Sequence, residues 1–157
     1  MTGVDILQIL QEEIHSTVVA TVDENGYPQT CVIDMMLADE NGLYFLTAKG
    51  KAFYERLMKK PFVALSGMKG TDTMSTFSIS VRGHVQNIGK NRLSEIFEKN
   101  PYMAKIYPSE KSREAWRCSA FIRVRESILI WDSCRLFGKI FPSGENNSIR
   151  TGTGSMP

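Results

Sequence analysis

Residues 45–61 read FLTAKGKAFYERLMKKP. An apolar run, Phe45-Leu46-Thr47, breaks abruptly into Lys49-Gly50-Lys51. An amphipathic stretch follows, with Phe53, Tyr54, Leu57 and Met58 at i, i+1, i+4 and i+5, and Pro61 stops it. The pattern predicts a strand, a tight joint and a helix over 51–60. The first amide N–H groups of a helix have no intrahelical partner and carry partial positive charge, so a helix start receives anions. Gly50 lets the backbone come close, Thr47 offers a hydroxyl, and Lys49 and Lys51 offer ammonium charge. Together they suit a phosphate monoester. An ordinary solvated joint uses the same residue types, and spacing alone leaves both readings open. The joint is not a P-loop, because the GxxxxGK[ST] pattern is absent.

Working outward, residues 4–14 place Ile6, Leu7, Leu10 and Ile14 at helical spacing. Ser16 to Val22 reads as a strand, 28–38 as a longer one, and Leu43–Thr47 as a third. The connections Asp23-Glu24-Asn25-Gly26 and Asp39-Glu40-Asn41-Gly42 end in Asn-Gly, a strong hairpin signal, so these strands form a meander. Phe62–Met68 and the alternating Phe77–Gln86 read as strands, with Gly83 marking a bulge or a close backbone approach. Helical pieces are expected over 90–99 and 101–107, and a last hairpin over 119–125 and 127–133, turning at Glu126. In that hairpin Cys118 and Cys134 stand nearly opposite each other, as two reduced thiols or an oxidisable pair. Six or seven mostly antiparallel strands must close or double over to bury their edges. The expected fold is α+β, a small β-barrel with flanking helices.

The chain has 157 residues, enough for one domain, and 42% hydrophobic residues, enough for a core. A domain over 1–141 and a polar tail over 142–157 are expected. A net charge of +2 without clustered Lys/Arg argues against a nucleic-acid partner. No apolar run approaches the about 20 residues of a membrane span. Acidic Asp5, Glu12 and Glu13 near the start argue against a signal peptide. Three cysteines without CxxC spacing argue against a metal site and for a cytoplasmic location.

The segments ATVDENGYPQTCVIDMM, LYFLTAKGKAFYERLMKKPFVALSGM, FSISVRGHV and NPYMAKIY, in this order and spacing, resemble the pyridoxamine 5′-phosphate oxidase-like family of FMN-binding split β-barrels. The resemblance covers about residues 4–133. It implies a homodimer with FMN in the groove between protomers. It implies that Thr47 and Lys51, with Lys49 nearby, hold the FMN phosphate, while Gly50 stands where a hydroxyl residue is common. Cys31, Val32 and Ile33 are implied to border the flavin ring, and Ser78 to reach it from the second subunit. Cys31 replaces an arginine of the oxidases proper.

Other departures bear on activity. The oxidases end in an Arg- and His-rich segment that holds pyridoxal phosphate. Here no histidine follows His84, and the tail PSGENNSIRTGTGSMP holds one arginine, Arg150. Oxidation of pyridoxamine phosphate is therefore not expected. The resemblance implies an FMN-dependent, flavin reductase-like oxidoreductase with NAD(P)H as donor and a small-molecule substrate. The alternatives are a flavin-, haem- or F420-binding module without turnover, and a cofactor-free dimeric scaffold. No catalytic side chain is assigned, because flavin carries hydride chemistry itself. His84 and His15 are expected to be structural or surface residues, Trp116 and Trp131 to pack in the core, and Arg123 and Arg125 to face solvent. Met35, Met36 and Met68 are expected to fill core or interface.

Overall fold

The computed structural model of the chain describes residues 2–72, 75–122 and 128–132. Helix α1 (Gly3–Gln8) starts at a capping box. Thr2 accepts a hydrogen bond from the Asp5 amide, and the Asp5 carboxylate accepts one from the Thr2 amide. The chain then widens into a π-helix over Ile9–Ile14, so the helix expected over 4–14 has two pitches. The change keeps Ile6, Leu7 and Leu10 buried and brings Ile14 against Gly67. A Cβ at Gly67 would lie 2.8 Å from Ile14 Cγ2, so only glycine leaves that space. His15 ends the helix at φ 61°, its amide donating to the Leu10 carbonyl.

Strands β1 (Ser16–Val22), β2 (Pro28–Asp39) and β3 (Gly42–Ala48) form the expected meander. Each turn is held by its aspartate: Asp23 accepts from the amides of Asn25 and Tyr27, and Asp39 from those of Asn41 and Gly42. Helix α2 (Ala52–Lys59) leads to β4 (Phe62–Lys69) and β5 (Phe77–Gly89). Then come α3 (Leu93–Lys99), α4 (Pro101–Ile106), the short α5 (Glu110–Arg113), β6 (Trp116–Ile122) and β7 (Ile128–Asp132). The strands pair antiparallel in the order β4-β1-β2-β3-β6-β5-β7, and β4 also pairs with β5. Six strands thus close on themselves, and the fold is an α+β split barrel with flanking helices.

Several elements differ from expectation. The last two strands are not a hairpin. Ile122 of β6 stands opposite His84 of β5, and Ile128 of β7 opposite Val81. They run the same way along one edge of β5, because β5 is long enough to hold both end to end. Cys118 is instead registered with Leu46 and Gly89 and is a buried free thiol, while Cys134 lies outside the described residues. Burial pushes the Cys118 thiol up to about 11. Gly83 keeps register opposite Val63, and the bulge falls between Asn87 and Gly89. Helix α3 starts at Leu93 rather than 90, because Arg92 takes a left-handed conformation at φ 63°. Its guanidinium bonds both Asp39 and Glu95 and lies 4.3 Å over the Tyr44 ring.

The core has two parts. Val19, Met35, Leu43, Phe45, Leu57, Val63, Leu65, Ile79 and Val81 fill the barrel, with α1 closing one side. Met36, Leu37, Tyr44, Leu46 and Cys118 pack outside it under Ile96, Phe97 and Met103 of α3 and α4, with Trp116 against them. Strand β3 is therefore buried on both faces, alternating Leu43 and Phe45 inward with Tyr44 and Leu46 outward. Met35 and Met36 are core residues as expected, whereas Met68 is exposed. Trp131 has its backbone in β7, and Arg123 and Arg125 lie outside the described residues.

The Asp39–Arg92–Glu95 cluster ties the β2–β3 turn to α3. Burial alone would raise the Asp39 carboxyl, but hydrogen bonds from Arg92 and the turn amides outweigh it and hold it below its ordinary 3.8. A carboxyl lowered in the folded state adds stability above its unfolded value and loses it as pH falls through the folded one. Asp39→Asn is therefore expected to cost about 1 kcal/mol at neutral pH and less at an acid pH below the ordinary carboxylate value of 3.8. Urea denaturation of both proteins at the two pH values reads this.

Candidate functional site

Twelve residues make β2 too long for one neighbour. Pro28–Asp34 pair with β1, and only from Met35 onward does β2 pair with β3. On the other side, Leu46–Ala48 at the end of β3 pair only with β6. The two strands part, and among the described residues the edge of β2 over 28–34 that faces away from β1 has no strand partner. The joint at 45–61 lies at this parting. It brings the end of β3 and the start of α2 beside an unpaired strand edge.

The joint is a tight turn. The Lys51 amide donates to the Ala48 carbonyl at 3.1 Å, which places Lys49 and Gly50 in the two central positions. Gly50 takes φ +86°, and the space where a Cβ would project is open to 4 Å. The Lys49 amide donates to the Ala115 carbonyl, fastening the turn to the segment before β6. Thr47 is 3% exposed, with its hydroxyl donating to the Arg117 carbonyl at 3.3 Å and 3.4 Å from Ser119 Oγ. Its side chain is thus committed to β6. Lys49, Gly50 and Lys51 are exposed.

Helix α2 begins without a side-chain cap. Its N-cap is Lys51 in an extended conformation, a residue with no acceptor to offer the first amides. Glu55 in the first turn offsets part of the positive end. The helix is held by Leu57 in the barrel, by Phe53 against Phe45, and by Tyr54, whose hydroxyl accepts from Asn87 Nδ2 at 3.0 Å. Among the described residues neither Lys49 nor Lys51 pairs with a carboxylate. The joint carries two lysines without a carboxylate partner among the described residues, an unhindered glycine backbone and uncapped amides. That donor set matches a phosphate dianion.

The expected ring-bordering residues divide by strand alternation. Cys31 is half-buried with Sγ 3.9 Å from the Val19 carbonyl, and Ile33 packs against the barrel core. Val32 points the other way and is 67% exposed. Three consecutive side chains cannot line one face, so what the segment offers in common is its free backbone edge. Burial raises the Cys31 thiol, partly opposed by the nearby Arg56 charge. Ser78 is not brought to the joint within one protomer. It stands opposite Met68 on β4, on the outer face of the barrel.

That outer face is continuous. The register aligns Val32, Val18, Ser66 and Ser80 across β2, β1, β4 and β5, and the adjoining row aligns Thr30, Ala20, Ala64 and Arg82. Val18, Val32, Phe62 and Met68 are exposed on it. His84 is exposed at its margin, with the Phe62 ring edge-on at 5.0 Å. His15, at the far end of β1, meets the Tyr102 hydroxyl at 3.2 Å and Asp34 at 3.8 Å.

One residue of this region escaped the sequence reading. Arg56 lies with Phe53 and Leu57 at i, i+3 and i+4, the stripe that faces the barrel. A lone arginine inside an apolar stripe was the available signal. Its Nε donates to Thr21 Oγ1 at 2.8 Å.

These features have counterparts in known proteins. The sequence profile of the family described as pyridoxamine 5′-phosphate oxidase matches residues 6–124, and the chain belongs to that family. Among solved structures, the chain is similar to Rv2991 of Mycobacterium tuberculosis at 13% identity and a TM-score of 0.68, covering 94% of this chain and 95% of that one. A NimC/NimA family protein of Clostridium acetobutylicum aligns at 19% identity and a TM-score of 0.63, over 77% of this chain and 83% of that one. The haem storage protein HutZ of Vibrio cholerae aligns at 11% identity and a TM-score of 0.57, over 81% and 94%. Likeness at such identities establishes the fold. No curated protein matches the chain significantly. Among the described residues no helix is long and apolar enough to cross a membrane, and no three metal-ligating side chains cluster.

The turn geometry makes its own prediction. Gly50→Ala meets no clash but must hold a positive φ, so it is expected to lower stability by about 1 kcal/mol. Thermal unfolding of the two proteins measures it.

Proposed function

We propose that the chain is an FMN-binding homodimeric oxidoreductase of the flavin reductase kind, with NAD(P)H as donor and a small aromatic or nitro-aromatic molecule as acceptor. The observation that carries the reading is the uncapped start of α2, flanked by two unpaired lysines, beside an unpaired edge of β2. Lys49, Lys51, the Gly50 backbone and the first amides of α2 hold the phosphate, and Thr47 fixes the turn that aims them. The β2 edge at Cys31, Val32 and Ile33 offers peptide donors and acceptors to the polar rim of a flavin ring. Bound FMN supplies the two-electron chemistry, and the chain's residues bind it, orient it and exclude water. Family membership adds weight, since flavin binding is general in the family.

The exposed apolar side chains of Val18, Val32, Phe62 and Met68 on the outer face support a dimer, because apolar side chains gathered on a sheet face call for a partner. Packed on a second copy, it brings Ser78 of one protomer toward the β2 edge of the other. Haem binding is the second reading, favoured by an exposed imidazole, His84, beside the Phe62 ring. A Soret band on haem addition, lost in His84→Ala, would speak for it.

Lys51→Ala is expected to reduce FMN affinity at least about tenfold, the loss of a charge-assisted contact to phosphate. Fluorescence quenching of FMN measures it. Unchanged affinity would remove the assignment of the joint.

A further inference from the structure

Among the described residues, two that carry a side chain hold a positive φ, Arg92 and His15. Arg92 lies in the left-handed helical region, with ψ 4°. His15, at φ 61° and ψ −62°, lies outside it, where backbone sterics disfavour any side chain. It directly follows the π-helix over Ile9–Ile14, a form met most often at functional sites. The strain persists because the residue is tied on both sides. Its amide donates to the Leu10 carbonyl at 2.9 Å, and its carbonyl accepts from the Met35 amide at 2.7 Å.

This backbone carries the imidazole between two elements. Nε2 lies 3.2 Å from the Tyr102 hydroxyl of α4 and 3.8 Å from the Asp34 carboxylate of β2. Asp34 accepts from Ser16 Oγ at 2.6 Å, and the Tyr102 hydroxyl donates to Met36 Sδ at 3.4 Å. With its one hydrogen on Met36, the hydroxyl oxygen is left to accept from Nε2–H. Burial and the Asp34 charge raise the Tyr102 hydroxyl, so it stays protonated. Nδ1 has no hydrogen-bond partner among the described residues, and the side chain is 36% exposed. One ring nitrogen held by a carboxylate and a phenol, with the other open, is the arrangement of an acid–base imidazole.

The cluster stands where the strands part. Asp34 is the last residue of the β2 segment paired only with β1, and Met35, bonded to His15, is the first that pairs with β3. Val32, expected to border the flavin ring, shares the outer face with Asp34, two residues or about 7 Å along the strand. A small aromatic molecule lying against Val32 therefore comes within reach of the imidazole.

We propose that His15 is the proton donor to an aromatic acceptor bound beside the free edge of β2, one that takes its proton on oxygen as a quinone does, with Tyr102 and Asp34 as positioning residues. The inference rests on the flavin reductase reading and names its acceptor class. Hydride chemistry needs no side-chain acid, but a quinone becomes a hydroquinone only by gaining one proton besides the hydride. NAD(P)H gives up the hydride and becomes NAD(P)+. The quinone gains that hydride and the proton from Nδ1, and leaves as hydroquinone. Asp34 is the counter-charge while the ring is protonated, and solvent returns a proton to Nδ1 on its exposed side.

The test compares reduction of duroquinone and of ferricyanide by NAD(P)H in the FMN-loaded protein. Ferricyanide takes one electron and no proton, so its reduction does not call on His15. The variants are His15→Asn, Tyr102→Phe and Asp34→Asn, with circular dichroism checking each fold; asparagine is among the residues that best tolerate a positive φ. His15→Asn is expected to lower the ratio of duroquinone to ferricyanide turnover about a hundredfold, through kcat more than KM. Tyr102→Phe and Asp34→Asn are expected to lower it less. In NMR spectra, the imidazole signal that His15→Asn removes is expected to shift when durohydroquinone is added to wild type. An unchanged ratio marks a structural residue and overturns the inference, as does an unmoved imidazole signal. Wild type that reduces ferricyanide but not duroquinone overturns the inference and leaves the flavin reductase reading standing. Wild type that reduces neither overturns both.

Discussion

The architecture depends on one strand having two partners. β2 is bonded to β1 through Asp34 and to β3 from Met35, and no neighbour spans its whole length. A barrel of six strands closes around this change, with β4 and β5 completing the ring on the far side. The consequence is an edge of backbone donors and acceptors without strand partners among the described residues. Elsewhere such an edge invites aggregation. Here it lies beside the start of α2, in a region where the chain also gathers positive charge.

The joint at 45–61 then has a clear division of labour. Thr47 spends its hydroxyl on β6, and the Lys49 amide on Ala115, so the turn is clamped from the β6 side. Gly50 supplies the positive φ that makes the turn tight. Leu57, Phe53 and Tyr54 seat α2 on the barrel. Side chains cap α1 and α5, at Thr2 and Ser109, while α2 starts without one, as α3 and α4 do.

Much of this was legible in the sequence. Asn25-Gly26 and Asn41-Gly42 announced the meander, and alternation announced β5, because those signals are local. The order of motifs announced the family. What stayed hidden was nonlocal. Residues 119–125 and 127–133 read as a hairpin because each is strand-like. Their common pairing to β5 depends on the length of β5, which runs to Gly89 through a bulge that no motif marks. The expected helix start at 90 failed because Arg92, which pairs with Asp39 far away in sequence, takes a left-handed conformation. At the joint, the turn at Lys49-Gly50 and the helix after it were readable, because a glycine break and amphipathic spacing are local signals. Thr47 looked like a free donor, since its bond to Arg117 crosses 70 positions. Arg56 carried no local mark of its bond to Thr21, which crosses 35 positions.

The most direct measurement is the visible spectrum of the protein after incubation with FMN and gel filtration. The account predicts a yellow dimer whose flavin bands co-elute with the protein and bleach on addition of NAD(P)H. A colourless protein that emerges free of FMN would contradict it, leaving the joint at 45–61 a turn that joins a strand to a helix and binds nothing.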